Sequence, residues 1–409
     1  MIRTREVVLF TMALYLVAGG VAVAETRIED HRVEVRIDRR IRIVPPVKET
    51  RAMLGMVRHP DGTIFLNTQR QGLYKSVDDG QTWTASPVKF SDGLINQRLH
   101  GLGVSSDGKL WLLHQYQGNE LYVSNSADGG QTWNTASVAF RNMAPGAPQR
   151  PYSTAYNDYN CFVEGSDGTM MVAVELRYSN DEVLGYQMAD QSIPGHHETM
   201  IRTTDGGKTW GDPTSVHQHV AETSFSVNPG DAEHILAFTR IQRGLLPGED
   251  EATVMEITGA PDSLRVKGHT ATSVYKNGIL LESTDGGRSF SEPAGGLVGF
   301  YEHRGVIFWA SNDVIVIVHN GGIHDYTAQA RISRDGGTTW VDGTKKGTPL
   351  LNKSKEFELV PAPPSHSYMT PTVELSPNHF LTTYAHVDAK STGTAISGVF
   401  WHLEPASEN

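Results

Sequence analysis

Apolar residues along this chain fall in short runs, each introduced by a turn-forming cluster. Thr63-Ile64-Phe65-Leu66 follows Pro60-Asp61-Gly62, and Val314–Val318 follows Ser311-Asn312-Asp313. Short runs rich in β-branched and aromatic residues, bounded by Gly, Pro, Asn and Asp, predict strands rather than helices. The same punctuation recurs at Ser106-Asp107-Gly108, Ser166-Asp167-Gly168, Asn228-Pro229-Gly230 and Ser376-Pro377-Asn378. The chain therefore reads as six similar units. Outside the first of them, His31–Ile43 alternates Val33, Val35 and Ile37 and predicts one more strand. Ile396–Leu403 predicts another at the opposite end.

A second turn series interleaves with the first. Five octets share one pattern: Ser76–Trp83, Ser126–Trp133, Thr203–Trp210, Ser283–Phe290 and Ser333–Trp340. Each carries Ser or Thr first, Asp third, Gly fifth and an aromatic last. Glycine supplies positive φ, the aspartate accepts backbone N–H groups, and the aromatic pins the turn to its neighbour. An octet recurring at this spacing predicts an array or propeller, with the aspartates structural. Only the sixth unit lacks one. The strand over His31–Ile43 could complete that unit and close the ring, which removes an exposed sheet edge.

Composition narrows the picture. The chain has 409 residues, 41 of them Gly and 20 Pro, with 38% hydrophobic residues. That suits many short strands around a packed core and excludes wholesale disorder. A formal charge of -11 argues against nucleic acid as a partner. A single cysteine, Cys161, excludes a disulfide framework and any paired-cysteine metal or redox motif. Arg3 and Arg5, the apolar stretch Val7–Val23 and the small-residue ending Ala22-Val23-Ala24 predict an export signal over 1–24. The rest, 25–409, is then one secreted or periplasmic domain without stable membrane insertion, because no later stretch is long and apolar enough to span a bilayer.

Up-and-down blades put both turn series on one face. Strand 2–3 loops and blade links lie on the other, where the two largest insertions, Tyr178–Glu198 and Ile241–Asn277, also fall. That second face is the expected working face. Its inner strands begin near Arg51, His100, Asp158, Glu222, Arg304 and Tyr368, and end near Arg70, His114, Arg177, Arg240, His319 and Tyr384. Glu222 and Arg240 bracket one hairpin and should be neighbours across it. Arg51, Arg240 and Arg304 come from three blades and could converge on one anion, since planar guanidinium groups fit a carboxylate bidentately. His217 and His219 share a strand face, but no third ligand accompanies them, so neither a metal nor a cofactor is expected.

The octets resemble Asp-boxes, and six units in this layout resemble the six-bladed β-propeller of the sialidase superfamily. The resemblance covers about residues 31 to 404. It implies an all-β fold and an exo-glycosidase acting on glycans with terminal acidic sugars. It also implies Arg51, Arg240 and Arg304 as the carboxylate clamp, Tyr368 as nucleophile and Glu222 as its activating base. Arg70, His100 and Arg177 are expected to line the substrate site. The stretch Gln69–Tyr74 holds no acid where the family places its acid/base aspartate. Asp92, Asp158 and His100 are the candidates for that role. Other glycosidases, polysaccharide lyases and non-catalytic glycan-binding propellers share this fold, and each is an alternative reading of the chain. Two geometric expectations result: Tyr368 within hydrogen-bond reach of Glu222, and Asp78, Asp128, Asp205, Asp285 and Asp335 on the face opposite Glu222.

Overall fold

A computed structural model describes residues 33–47, 53–68, 72–93, 98–115, 121–138, 153–154, 161–177, 196–218, 220–243, 248–250, 252–253, 275–292, 297–298, 305–320, 328–337, 339–340, 344–345, 357–360, 370–387 and 394–405. They form six small antiparallel sheets arranged as a six-bladed β-propeller, with Thr339–Trp340 and Thr344–Lys345 paired in a separate two-stranded ribbon. All six turns of the first series join strands one and two of a blade, as between Met53–Arg58 and Ile64–Thr68 in blade one. All five octets begin at the end of strand three of a blade. The first strand of blade three is split into Ser153–Thr154 and Phe162–Glu164, both paired with Met170–Arg177.

The ring closes as the alternation at the N-terminus predicts. Val33–Val47 is the outermost strand of blade six and pairs antiparallel with the C-terminal strand Thr394–Pro405. Its free edge carries exposed Arg36, Asp38, Arg39, Arg40 and Arg42, and its register slips between Ile37 and Arg39. Charges and a bulge both oppose edge-to-edge pairing with another chain.

The core lies in the seams between blades. Leu99, Leu112 and Trp133 meet Phe65 and Leu73 between blades one and two. Trp111 and Leu113 meet Val172 and Ile201 between blades two and three, and Met171 and Met200 meet Ile235 and Leu281 between three and four. Phe238 and Leu280 pack on Ile307 and Ile317, and one last cluster joins blades five, six and one. Burial on both faces explains why the inner strands read as continuous apolar runs. Polar clasps run along the same seams. Ser106 donates to Glu164 of the next blade through its amide at 2.6 Å and its hydroxyl at 3.1 Å, and Ser311 binds Glu374 in the same way.

The octet turns are built from their own residues. In the second, Asp128 Oδ1 accepts the Thr132 amide at 2.9 Å and the Ser126 hydroxyl at 2.7 Å, while Thr132 Oγ1 binds Oδ2 at 2.6 Å. Ser126 Oγ accepts the Gly130 amide at 2.9 Å, and Trp133 Nε1 donates to the Gly130 carbonyl at 3.1 Å. The turn needs two successive residues at positive φ, 68° and 82° at Gly129 and Gly130. At Gly207 of the third octet a Cβ would lie 2.6 Å from the Trp111 ring, so a neighbouring blade also enforces glycine there.

Candidate functional site

Blade four supplies the two described residues of the expected site that meet, Glu222 and Arg240. Its first two strands, Val220–Asn228 and Asp231–Arg243, form a hairpin across Pro229-Gly230. The register is regular from Ser224–Phe238 to Val227–Ile235, then slips between Ala221 and Ser224. Glu222 sits in that bulge with φ +62°, the left-handed region that a side chain this long seldom occupies. A bulge re-aims the side chains it contains. Here it brings Glu222 Oε2 to 2.7 Å from Arg240 Nη2, with side-chain exposures of 6% and 4%. The neighbour relation expected across the hairpin is thus present, as a buried ion pair. Burying two charges is tolerable only because each neutralises the other.

Beneath the pair lies a polar chain that crosses between blades. Thr223 Oγ1 donates to Glu198 Oε2, a fully buried carboxylate on strand three of blade three, His196–Thr203. A hydroxyl has one proton to give. That leaves Thr239 Oγ1, 2.6 Å from Thr223 Oγ1, as the donor in their mutual contact. Glu198 escaped the sequence reading because it closes a predicted insertion; the structure makes it strand. The one available signal was its place in His196-His197-Glu198, where the pattern lacks apolar alternation.

Register places Glu222 at one end of blade four and the octet aspartate at the other. Arg240 faces Gly278 while Ser283, which opens the octet, faces Ile235. The up-and-down order carries the relation around the ring, so the octets and Glu222 lie on opposite faces.

The same working end of blade two holds two buried histidines. His114 Nε2 meets Ser124 Oγ at 2.7 Å, and its ring stacks on Tyr122 with 5.5 Å between centroids. Burial, and secondarily the nearby His100, push the His114 pKa down to about 3, so it is neutral at physiological pH. His100 is completely buried, and Asn67 Nδ2 donates to its carbonyl. In blade five Arg331 Nε donates to His319 Nε2 at 3.3 Å, again with no exposure at the histidine. In blade six burial raises the Tyr384 pKa, against the opposing pull of Ser397, Arg40 and Arg42.

The remaining expected site residues divide into two groups. Arg177 ends strand two of blade three, where the pattern predicts it. Asp92 lies in an exposed turn just after Phe90, whose backbone bridges Trp133 of the second octet. The turn is thereby tied to blade two, where the Phe90 ring also lies 4.4 Å from that of His114. Arg51, Arg70, Asp158, Arg304 and Tyr368 lie outside the described residues, as do His219, the segment 178–195 and most of 244–274. So does the predicted export signal. Among the described residues no cluster of three or more His, Cys, Asp or Glu could hold a metal, and no helix is long and apolar enough to cross a membrane.

No family model matches the chain, and no curated protein does. Solved structures match its fold. A protein of unknown function from Dyadobacter fermentans is 16% identical with a TM-score of 0.57, over 90% of this chain and 99% of that one. A Hadza microbial sialidase is 15% identical with a TM-score of 0.55, over 85% of this chain and 65% of its own. Trypanosoma rangeli sialidase, in complex with 2,3-difluorosialic acid, is 12% identical with a TM-score of 0.53, over 90% and 59%. The chain thus spans less than two thirds of these two sialidases. At such identities the likeness shows the six-bladed propeller, and function must be argued from the site.

Proposed function

We propose that this chain is an exported glycoside hydrolase that removes terminal acidic sugars in the manner of a sialidase. The observation that carries the reading is the buried Glu222–Arg240 pair at the inner strands of the propeller, on the face opposite the octets. The fold is also that of solved structures named as sialidases and an arabinanase, which makes a glycan the natural substrate class. A sialic-type sugar carries a carboxylate beside its anomeric carbon and repels a carboxylate nucleophile. A neutral phenol avoids that repulsion, and sialidases with a tyrosine nucleophile are the known exception to the two-carboxylate scheme. Tyr368 is assigned that part. Its hydroxyl is weakly nucleophilic near its ordinary pKa of about 10, so Glu222 takes the proton as the oxygen attacks. Arg240, together with Arg51 and Arg304, holds the substrate carboxylate and fixes the ring for attack. Arg70, His100 and Arg177 remain assigned to the substrate site. Asp92, Asp158 and His100 are the candidates for protonating the leaving group.

An aryl α-sialoside tests the reading fairly, because a phenolate leaves without an acid and the missing aspartate does not matter. Turnover by the wild type is expected, with kcat/KM falling about 10²- to 10⁴-fold in Glu222→Gln, the usual contribution of a general base, and at least as far in Tyr368→Phe. Unchanged rates in both variants would remove the nucleophile assignment. Hydrolysis of arabinosides or uronosides in place of sialosides would move the chain to another glycosidase of the same fold. Export is checked separately, by an N-terminus at Glu25 in protein recovered outside the cytoplasm.

A further inference from the structure

We infer that Glu198 is a positioning residue: reaching in from blade three, it holds Glu222 in its left-handed conformation through the Thr223 hydroxyl. The inference rests on the reading of Glu222 as the base of the site, and it names what keeps that base in place. Three observations converge. Glu222 occupies φ +62° inside a register slip, a strained conformation that persists only where the surroundings over-determine it. The residue after it, Thr223, donates to the Glu198 carboxylate, and the residue before Arg240, Thr239, is joined to Thr223 at 2.6 Å. Glu198, Thr223 and Thr239 are at most 1% exposed.

The physical consequence is a lock on both halves of the ion pair. Thr223 fixes the chain immediately after Glu222, and Thr239 fixes it immediately before Arg240. A charge-assisted bond to a carboxylate is roughly twice as strong as a neutral one, and water does not compete at a site this buried. Were the Thr223 hydroxyl lost, the bulge could relax toward regular pairing. Side chains alternate between faces, so a one-residue change of register would turn Glu222 to the other face. The ion pair with Arg240 would then break. Glu198 sits on a different blade from Glu222, so the lock also ties the geometry of the site to the seam between blades three and four.

The experiment compares Thr223→Val, which keeps shape and removes the hydroxyl, with Thr223→Ser, which keeps the hydroxyl, and Glu198→Gln, which keeps an acceptor and removes the charge. On an aryl sialoside, Thr223→Val should lose at least thirtyfold in kcat with KM within about threefold. Thr223→Ser should return to within about threefold of wild type, and Glu198→Gln should fall between. Amide hydrogen exchange over residues 221–224 gives a readout that needs no turnover; it should speed up at least tenfold in Thr223→Val, by a smaller factor in Glu198→Gln, and not in Thr223→Ser. Wild-type turnover with unaffected kcat and exchange in Thr223→Val overturns the lock. Absence of wild-type turnover removes the functional reading instead, and the exchange comparison then decides the lock by itself. If Thr223→Val does not fold, Glu198→Gln against Thr223→Ser carries the same comparison.

Discussion

Blade four carries two carboxylates at its two ends that are held in opposite ways. Asp285, in the octet, is bonded to Ser283 Oγ at 2.7 Å, the Ser289 amide at 2.9 Å and Ser289 Oγ at 2.5 Å, all within four residues. Glu222 is bonded across the hairpin to Arg240, and its neighbour Thr223 is bonded to a residue of another blade. The first arrangement can be written into a short motif and copied: the motif recurs five times in the sequence, and the same aspartate bonding is seen at Asp78, Asp128, Asp205 and Asp285. The second needs the hairpin, its bulge and the adjacent blade all in place, and it occurs once among the described residues. Local bonding makes scaffold here, while bonding between distant residues makes the candidate site.

The largest expected effect breaks the distant pair. Arg240→Met should destabilise the fold by about 3–5 kcal/mol, because it strands a buried carboxylate. A Glu222→Met, Arg240→Met double variant should lose much less, and urea denaturation of all three variants gives the coupling. A single-variant loss below about 1 kcal/mol would mean that the pair is effectively solvated.

Next comes the contact between an octet and its neighbouring blade. Gly207→Ala should cost about 1–3 kcal/mol, since overpacking against Trp111 adds to the strain at φ +90°. Gly129→Ala, at φ +68° with nothing within 4 Å of the added Cβ, should cost only about 1 kcal/mol. Equal losses would show that the neighbouring blade adds nothing to the requirement for glycine.

A smaller effect is expected from Asp285→Ala, about 0.5–2 kcal/mol by analogy with a lost helix cap, with activity per folded molecule unchanged. A loss of activity without a loss of stability would contradict the separation of the two ends.

The effect that is absent at neutral pH appears on acidification, in two windows. His114 is driven down to about 3 by burial and His100, so the unfolded chain binds its proton first. Its contribution is complete above the unfolded pKa of about 6.5 and fades as pH falls from there toward 3. Bonds to Thr82 and Ser76 hold the Asp78 carboxyl at about 2, and the equivalent bonds do the same for Asp128. Their contribution is complete above about 4 and is lost as pH falls toward 2. Urea midpoints measured from pH 7 to 2 should decline in both ranges, and His114→Phe should flatten the upper one only.

Much of this was legible in the chain itself. The octets contain their own bonding partners, so their number, their turns and the need for glycine could be read from adjacent residues. The alternation of Val33, Val35 and Ile37 announced the strand that closes blade six. Turn spacing also put Glu222 and Arg240 across one hairpin, since the turn of a hairpin sets its register. Tertiary structure decided the rest. The bulge that turns Glu222 toward Arg240 is a register slip that no residue in Ala221–Ser224 marks. Glu198 is bound to Thr223 only because blades three and four pack side by side. The bridge from Phe90, beside Asp92, to Trp133 of the second octet likewise joins residues that the chain keeps apart. Sequence encodes contacts between near neighbours directly. Contacts between blades exist only once neighbouring blades pack, when hydrophobic seams bring together residues that the chain keeps far apart.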